Sequence, residues 1–279
     1  MLQESLEWVA FKTVNHFADT AIRLRLSLMK SYPEQLHIFF NALTFYTRLS
    51  APKWVIYKPD YQAKCSKYLP WIGALIGVYA ALIYWLCQFI FPESLAIILS
   101  MFTSIIMTGG IHEDGLADCC DGFGGGWDKQ QILSIMKDSR VGTYAVLGLI
   151  LVLLLKYAAL LEIEETILTI IFAHCFSRFL PLLIMRKSAY AGRQEESKSS
   201  DLTFPLSNTD LLLAAIPALI CVVLLPTSFS TVILPCLLIT LWLNHYFQHR
   251  IGGYTGDCLG CCQQLNELLI YLWFCLAFL

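Results

Sequence analysis

Seven apolar runs dominate the chain: Trp71 to Phe91, Leu95 to Ile111, Gly142 to Leu161, Thr166 to Met185, Leu211 to Leu225, Phe229 to Phe247 and Leu265 to Leu279. A helix crossing the hydrocarbon core needs about 20 mostly apolar residues, within a range near 17 to 25. Runs of this length predict an all-α, polytopic integral membrane bundle. The run at 211–225 is short and contains Pro217, and the last run stops at the end of the chain, so tilting, re-entry or extension by flanking residues is open for both. About six to eight transmembrane helices are therefore expected. Composition agrees with a membrane class: 57% of residues are hydrophobic, 14% are charged and mean hydropathy is +0.61, all outside the range of an ordinary soluble domain. A net charge of −2 with no basic stripe excludes a nucleic-acid-binding reading.

The basic residues fix an orientation. Of 19 Lys and Arg, only Lys156 and Arg178 fall inside apolar runs; the other 17 precede the first run or lie in the loops at 112–141, 186–210 and 248–264. The opposite loops carry Glu93, Glu162, Glu164 and Glu165 and no base. The positive-inside rule then predicts a cytoplasmic N-terminus and cytoplasmic long loops. Every chemically suggestive segment falls on that face, so an active site facing the cytoplasm from the inner membrane is expected.

Residues 1–35 are read as a separate amphipathic helix and 36–279 as the membrane-embedded domain. Leu6, Val9, Val14, Phe17, Ala21, Leu24 and Leu28 recur at helical spacing, with Lys12, Asn15, Asp19 and Arg23 on other faces. No short apolar core with a small-residue cleavage site precedes it, which argues against a signal peptide. Such a helix lies on the bilayer surface or packs on a partner subunit, so the lipid bilayer and a second copy of the chain are its expected partners.

Directly after the second run, Glu113, Asp114, Asp118 and Asp121 put four carboxylates within nine residues. Asp114, Asp118 and Asp121 stand at i, i+4 and i+7, one face of a helix. No Lys or Arg occurs between Lys67 and Lys129 to neutralise them. Unpaired carboxylates near hydrocarbon either take up a proton or hold a cation, and several oxygens on one face suit a hard divalent ion such as Mg2+. The competing reading is an exposed acidic first turn favoured by the helix dipole. Ionisable residues at membrane depth favour function. A single C-x2-C, Cys258 with Cys261, lacks a second such unit, and eleven cysteines set mostly in apolar runs do not make a disulfide or zinc framework.

Four other segments accompany the acids. Met136-Lys137-Asp138-Ser139-Arg140-Val141-Gly142-Thr143 mixes cations and hydroxyls at a helix start and suits phosphate, Lys137 as a point charge and Arg140 as a two-pronged donor. Arg250 to Gly260 places four glycines around Asp257, which is positioned in sequence to complete a metal shell from another helix. The segment Ser177-Arg178-Phe179, continuing to Arg186, Lys187, Tyr190 and Arg193, sets Arg178 inside an apolar run, where it needs an anion, either a substrate phosphate or one of the clustered carboxylates. Arg48 reads equally as an interfacial anchor or as a phosphate contact.

These residues resemble the cobalamin synthase (adenosylcobinamide-GDP ribazoletransferase) family. Its members combine T-G-G-[aliphatic]-H-x-D-G-L-A-D-x-x-D-G, M-K/R-D-S-R-[aliphatic]-G-T and G-Y-T-G-D-x-L-G, and residues 108–122, 136–143 and 253–260 match those strings in order. Phe45 to Pro52 and Tyr68 to Gly77 echo the family's early segment, so the likeness runs from about Leu36 to the end. Glu113 stands where an aliphatic residue is also common, and Ala145 where Gly is usual. The resemblance implies transfer of the adenosylcobinamide phosphate group from adenosylcobinamide-GDP to α-ribazole or α-ribazole 5'-phosphate, with release of GMP and a need for Mg2+. It implies Asp114, Asp118, Asp121 and Asp257 for one or two Mg2+ ions, and Lys137, Arg140, Arg48, Arg178 and Arg250 for phosphate. The general base remains open among Asp138, Asp121 and His112.

Two rivals carry less of the pattern. A CDP-alcohol phosphotransferase acting on a lipid also holds metal with Asp residues in membrane helices. Asp114-Gly115-Leu116-Ala117-Asp118, however, lacks the second spacer before Ala and the Arg after it. A divalent-cation transporter needs acids along a path near the midplane, whereas these gather beside basic loops at one face.

Overall fold

The computed structural model describes residues 32–192, 206–225 and 227–276. The amphipathic segment expected at 1–35 lies, up to residue 31, outside the described residues. What is described is helical apart from one isolated parallel bridge between Tyr190 and Tyr254. Helix α1 spans Glu34–Tyr46, α2 Pro59–Ala63, α3 Leu69–Cys87, α4 Glu93–Thr108, α5 Ile111–Gly125 and α6 Lys129–Met136. They are followed by α7 Thr143–Leu161, α8 Thr166–Lys187, α9 Asn208–Leu224, α10 Ile233–Ile251 and α11 Gly256–Leu276.

Four helical stretches are long and apolar enough to cross a membrane, Cys65–Cys87, Thr143–Leu161, Thr166–Lys187 and Ser230–Ile251, and a fifth if α4 and α5 make one broken span. Among the described residues, by length and composition, this gives a multi-pass protein of four to five spans against the six to eight expected. The run at 95–111 stops after the 16 residues of α4, because Gly109 and Gly110 turn the chain through 88° into α5. The run at 211–225 forms α9, whose 17 residues span roughly 26 Å against a hydrocarbon core of about 30 Å. The last run belongs to a longer helix, α11, which begins at Gly256 and buries Gln263, Gln264, Asn266 and Glu267.

Those polar residues explain the architecture. A helix that carries them can persist at membrane depth only with protein on every side, and α11 packs against α5, α7, α8 and α10. Around it, Phe172 of α8 stacks on both Phe176 and Phe274, anchoring one end of the bundle. A second apolar cluster of Leu116, Ile132, Met136, Phe247, Ile251 and Cys258 seats α5, α6 and α10 at the other end. Leu147, Ile150, Leu151 and Leu154 of α7 and Leu234, Leu238 and Trp242 of α10 remain exposed, a surface suited to hydrocarbon rather than water.

Candidate active site

The site is built on the break between α4 and α5. Gly109 and Gly110 have φ of 70° and 73°, the left-handed region in which a side chain is penalised. The turn they make starts α5 at Ile111 and places His112, Glu113 and Asp114 in its first turn. Across from them lies the start of α11, brought close by missing side chains. A Cβ on Gly115 would sit 2.9 Å from the Asp257 carbonyl oxygen, and one on Gly260 3.2 Å from that of His112. Two segments far apart in sequence thus bring Asp257 beside the acids of α5.

The carboxylates of Asp257, Asp114 and Asp121 all repel that of Asp118, and Asp114 repels Asp257. Among the described residues, no Lys or Arg pairs with Asp114, Asp118 or Asp257. Asp257 accepts a hydrogen bond from the Thr255 hydroxyl at 3.2 Å. Asp121 is held differently. Its Oδ2 accepts the Gly142 N–H at 2.6 Å and its Oδ1 the Ala145 N–H at 2.9 Å, so it caps α7 and meets the positive end of that helix dipole.

Oxygen donors with unbalanced negative charge have the chemistry that a hard divalent cation requires. Among the described residues, no three His, Cys, Asp or Glu side chains are gathered tightly enough to hold an ion by themselves. Cys119 lies against Cys258 and Cys261 at the α5–α11 seam as free thiols, with no metal-holding group among them.

Two clefts meet at Asp257. One, of about 900 Å³, is lined by Lys129, Lys137, Ser134, Thr255 and Asp257 among others. The second, of about 450 Å³, is lined by Phe45, Tyr46, Leu69, His112, Asp114 and Met185 among others. Tyr190, Gly256 and Asp257 line both. The shared wall is stiffened by backbone pairing: the Tyr254 N–H donates to the Ala189 carbonyl at 3.0 Å and the Ala191 N–H to the Tyr254 carbonyl at 2.8 Å. Burial, with the Asp257 carboxylate nearby, raises the Tyr190 phenol above its ordinary pKa.

The cations expected at phosphate are dispersed. Lys137 lines the larger cleft. Arg140 is 87% exposed and closes its fork on Asp138, with Nη2 to Oδ2 at 2.6 Å, and this guanidinium holds the Asp138 carboxyl below its ordinary pKa. Arg250 donates to the Tyr246 hydroxyl and to the Gly126 carbonyl, both at 2.8 Å, and lies over the Phe123 ring, tying the end of α5 to α10. Arg48 lies against Gly109 at the helix break, its backbone N–H donating to the Met107 carbonyl at 2.8 Å.

Arg178 finds its anion in a residue that the sequence reading did not select. It is 2% exposed, and its Nη1 lies 3.7 Å from Glu267 Oε2. The Lys156 ammonium donates to Glu267 Oε1 at 2.8 Å and to Gln264 at 2.7 Å, and Gln264 donates in turn to Glu113 at 2.9 Å. Glu113, the fourth acid of the cluster, thereby joins the buried network. Two bases in separate apolar runs with a single acid in the last run were the available signal. Lys129, which lines the larger cleft, stands in no motif that marks it.

Apolar helices long enough to span, an internal polar seam and two clefts sharing Asp257 define the class as a multi-pass membrane protein with a candidate site at one end. Comparison with known proteins narrows that class. The chain belongs to the cobalamin-5-phosphate synthase family, whose model matches residues 38–275. It is 40% identical over 251 residues to the adenosylcobinamide-GDP ribazoletransferase of Shewanella amazonensis, covering 88% of this chain and 96% of that protein. The enzyme of the same description from Leptothrix cholodnii is 38% identical over 255 residues, covering 88% and 97%. No solved structure matches the chain.

Proposed function

We propose that the chain is an adenosylcobinamide-GDP ribazoletransferase acting late in cobalamin biosynthesis. A hydroxyl oxygen of α-ribazole, or of its 5'-phosphate, forms a bond to the phosphorus that carries the corrinoid. The bond from that phosphorus to the oxygen of the departing GMP breaks, with the electron pair leaving on GMP. The observation that carries this reading is the meeting of two clefts at Asp257, beside Asp114 and Asp118, in a chain of this family.

Such a transfer depends on placing two substrates and balancing charge on a diphosphate. Asp114, Asp118 and Asp257 are the acids that would hold Mg2+, one or two of them directly and the rest through water, and Asp121 adjoins them from its seat on α7. Bound there, Mg2+ would neutralise phosphate oxygens shared with the substrate. Lys137 and Lys129 supply positive charge from the wall of the larger cleft. His112 is the candidate proton acceptor for the ribazole hydroxyl that lines the smaller cleft with Asp114 and Asp257, although its Nε2 is buried and would have to turn toward the cleft to act. Asp121 is engaged by the α7 amides and Asp138 by Arg140.

The test is direct. Purified protein incubated with adenosylcobinamide-GDP, α-ribazole and Mg2+ should yield a cobalamin product by chromatography, and its absence with intact protein would end the proposal. Product from a CDP-activated lipid alcohol instead would favour the lipid phosphotransferase. The segregated basic residues support a cytoplasm-facing site. In a background lacking native cysteines, Ser94→Cys should react with an impermeant thiol reagent from outside intact cells and Ser139→Cys should not. The reverse pattern would turn the site outward.

A further inference from the structure

Resting on that transferase reading, we infer that the two clefts divide the substrates. The 450 Å³ cleft takes the benzimidazole nucleoside of the acceptor, and the 900 Å³ cleft takes the nucleoside diphosphate of the donor. Charge decides first. The smaller cleft has no Lys or Arg among its described lining residues, and Asp114 and Asp257 face it, so a diphosphate lodged deeper in it than a metal at Asp257 would meet only like charge. Lys129 and Lys137 line the larger cleft and not the smaller.

Shape and surface decide the rest. Phe45 and Tyr46 from the end of α1, with Leu69 and Met185, make the smaller cleft an apolar, aromatic-walled slot. A flat heteroaromatic ring gains most from stacking and apolar burial in such a slot. The volume suits a compact nucleoside, whereas a corrin ring with its side chains and axial adenosyl group is several times larger than that. The donor's diphosphate therefore approaches Asp257 from the basic side and its corrinoid extends through the open side of the larger cleft. His112 lines the smaller cleft and not the larger, which keeps the lysines at the GMP end. Asp257, lining both, marks the line across which the phosphorus is exchanged.

The experiment uses the full chain in lipid nanodiscs and two readouts. Steady-state kinetics give a KM for each substrate in turn, and the intrinsic fluorescence of α-ribazole gives its binding without the donor. Ala63→Trp, which fills the smaller cleft, should weaken α-ribazole by at least about tenfold in both readouts, with the donor KM within about twofold. Phe45→Ala, an exposed position that does not threaten folding, should move the same two numbers by up to about tenfold. Ser134→Trp and Lys129→Ala should raise the donor KM about tenfold and leave α-ribazole binding unchanged.

Turnover with the opposite assignment, or with both constants moved together by every variant, would overturn the division while leaving the transferase reading intact. A wild-type protein that binds α-ribazole, loses it on Ala63→Trp, and makes no corrinoid product would overturn the transferase reading and keep the cleft assignment. Equal α-ribazole binding by wild type and by folded Ala63→Trp and Phe45→Ala would remove the acceptor from this cleft.

Discussion

The buried seam at mid-bundle and the acidic end of the molecule use the same residue types to opposite purposes. At the seam, Glu267 has Lys156 at 2.8 Å, Arg178 at 3.7 Å and a hydrogen bond from Gln263 at 2.6 Å. Its charge is answered from α7, α8 and its own helix. At the acidic end, Asp114, Asp118 and Asp257 face one another without an ion-pair partner among the described residues. The contrast separates two meanings of an ionisable group at membrane depth. Where protein partners satisfy it, the group orders helices; where neighbouring carboxylates repel it, the group is the one proposed above to meet a ligand.

The largest expected effect tests the seam. Glu267→Leu removes the carboxylate that Lys156 and Arg178 share and leaves them only the more distant Glu113, and breaking such a network costs about 3 to 5 kcal/mol. Denaturant unfolding in detergent should register that loss, and an unfolding midpoint equal to wild type would show that the seam is not structural. Asp118→Asn should do the reverse. Stability stays constant or rises, because a repelled charge is removed, while turnover at limiting Mg2+ falls roughly ten- to a hundredfold. If folding suffers and the Mg2+ dependence does not move, the two regions are not distinct in kind.

Asp121 sharpens the comparison, since it sits among the acids but has its oxygens on backbone amides. Asp121→Ala should lower stability by about 1 to 2 kcal/mol through loss of the α7 cap, read from the same unfolding curves. An unchanged midpoint with a large shift in Mg2+ requirement would return Asp121 to the metal alone.

The smallest effect is assigned to Arg140→Lys. Arg140 is solvent-exposed and closed on Asp138, so turnover should change by less than about threefold. Asp138 is held below its ordinary pKa by this pairing. The pair is therefore complete above the usual carboxylate range and is lost only as pH falls through the depressed value. Between about pH 5 and 9, above that range, the variant's activity profile should parallel wild type. A tenfold defect confined to the GDP-activated substrate would instead put Arg140 at the diphosphate.

What the sequence determined by itself is what depends on local spacing and composition. Apolar runs gave a helical membrane protein, the i, i+4, i+7 pattern gave one acidic face, and the string from Thr108 to Gly122 with its two companions gave the family that the comparisons establish. Each of these is written within a few turns of one helix. Tertiary structure decided which charges meet. Lys156 and Glu267 are 111 positions apart, and Glu113 and Gln264 are 151 apart, and no periodicity within a helix encodes a contact across that distance. The same holds for span count, because hydropathy does not register that two glycines with positive φ break α4 from α5. Nor does it register that the polar residues of α11 are enclosed by protein. Helix periodicity is a property of neighbours along the chain, whereas the choice of partner for a buried charge belongs to the packing of the whole bundle.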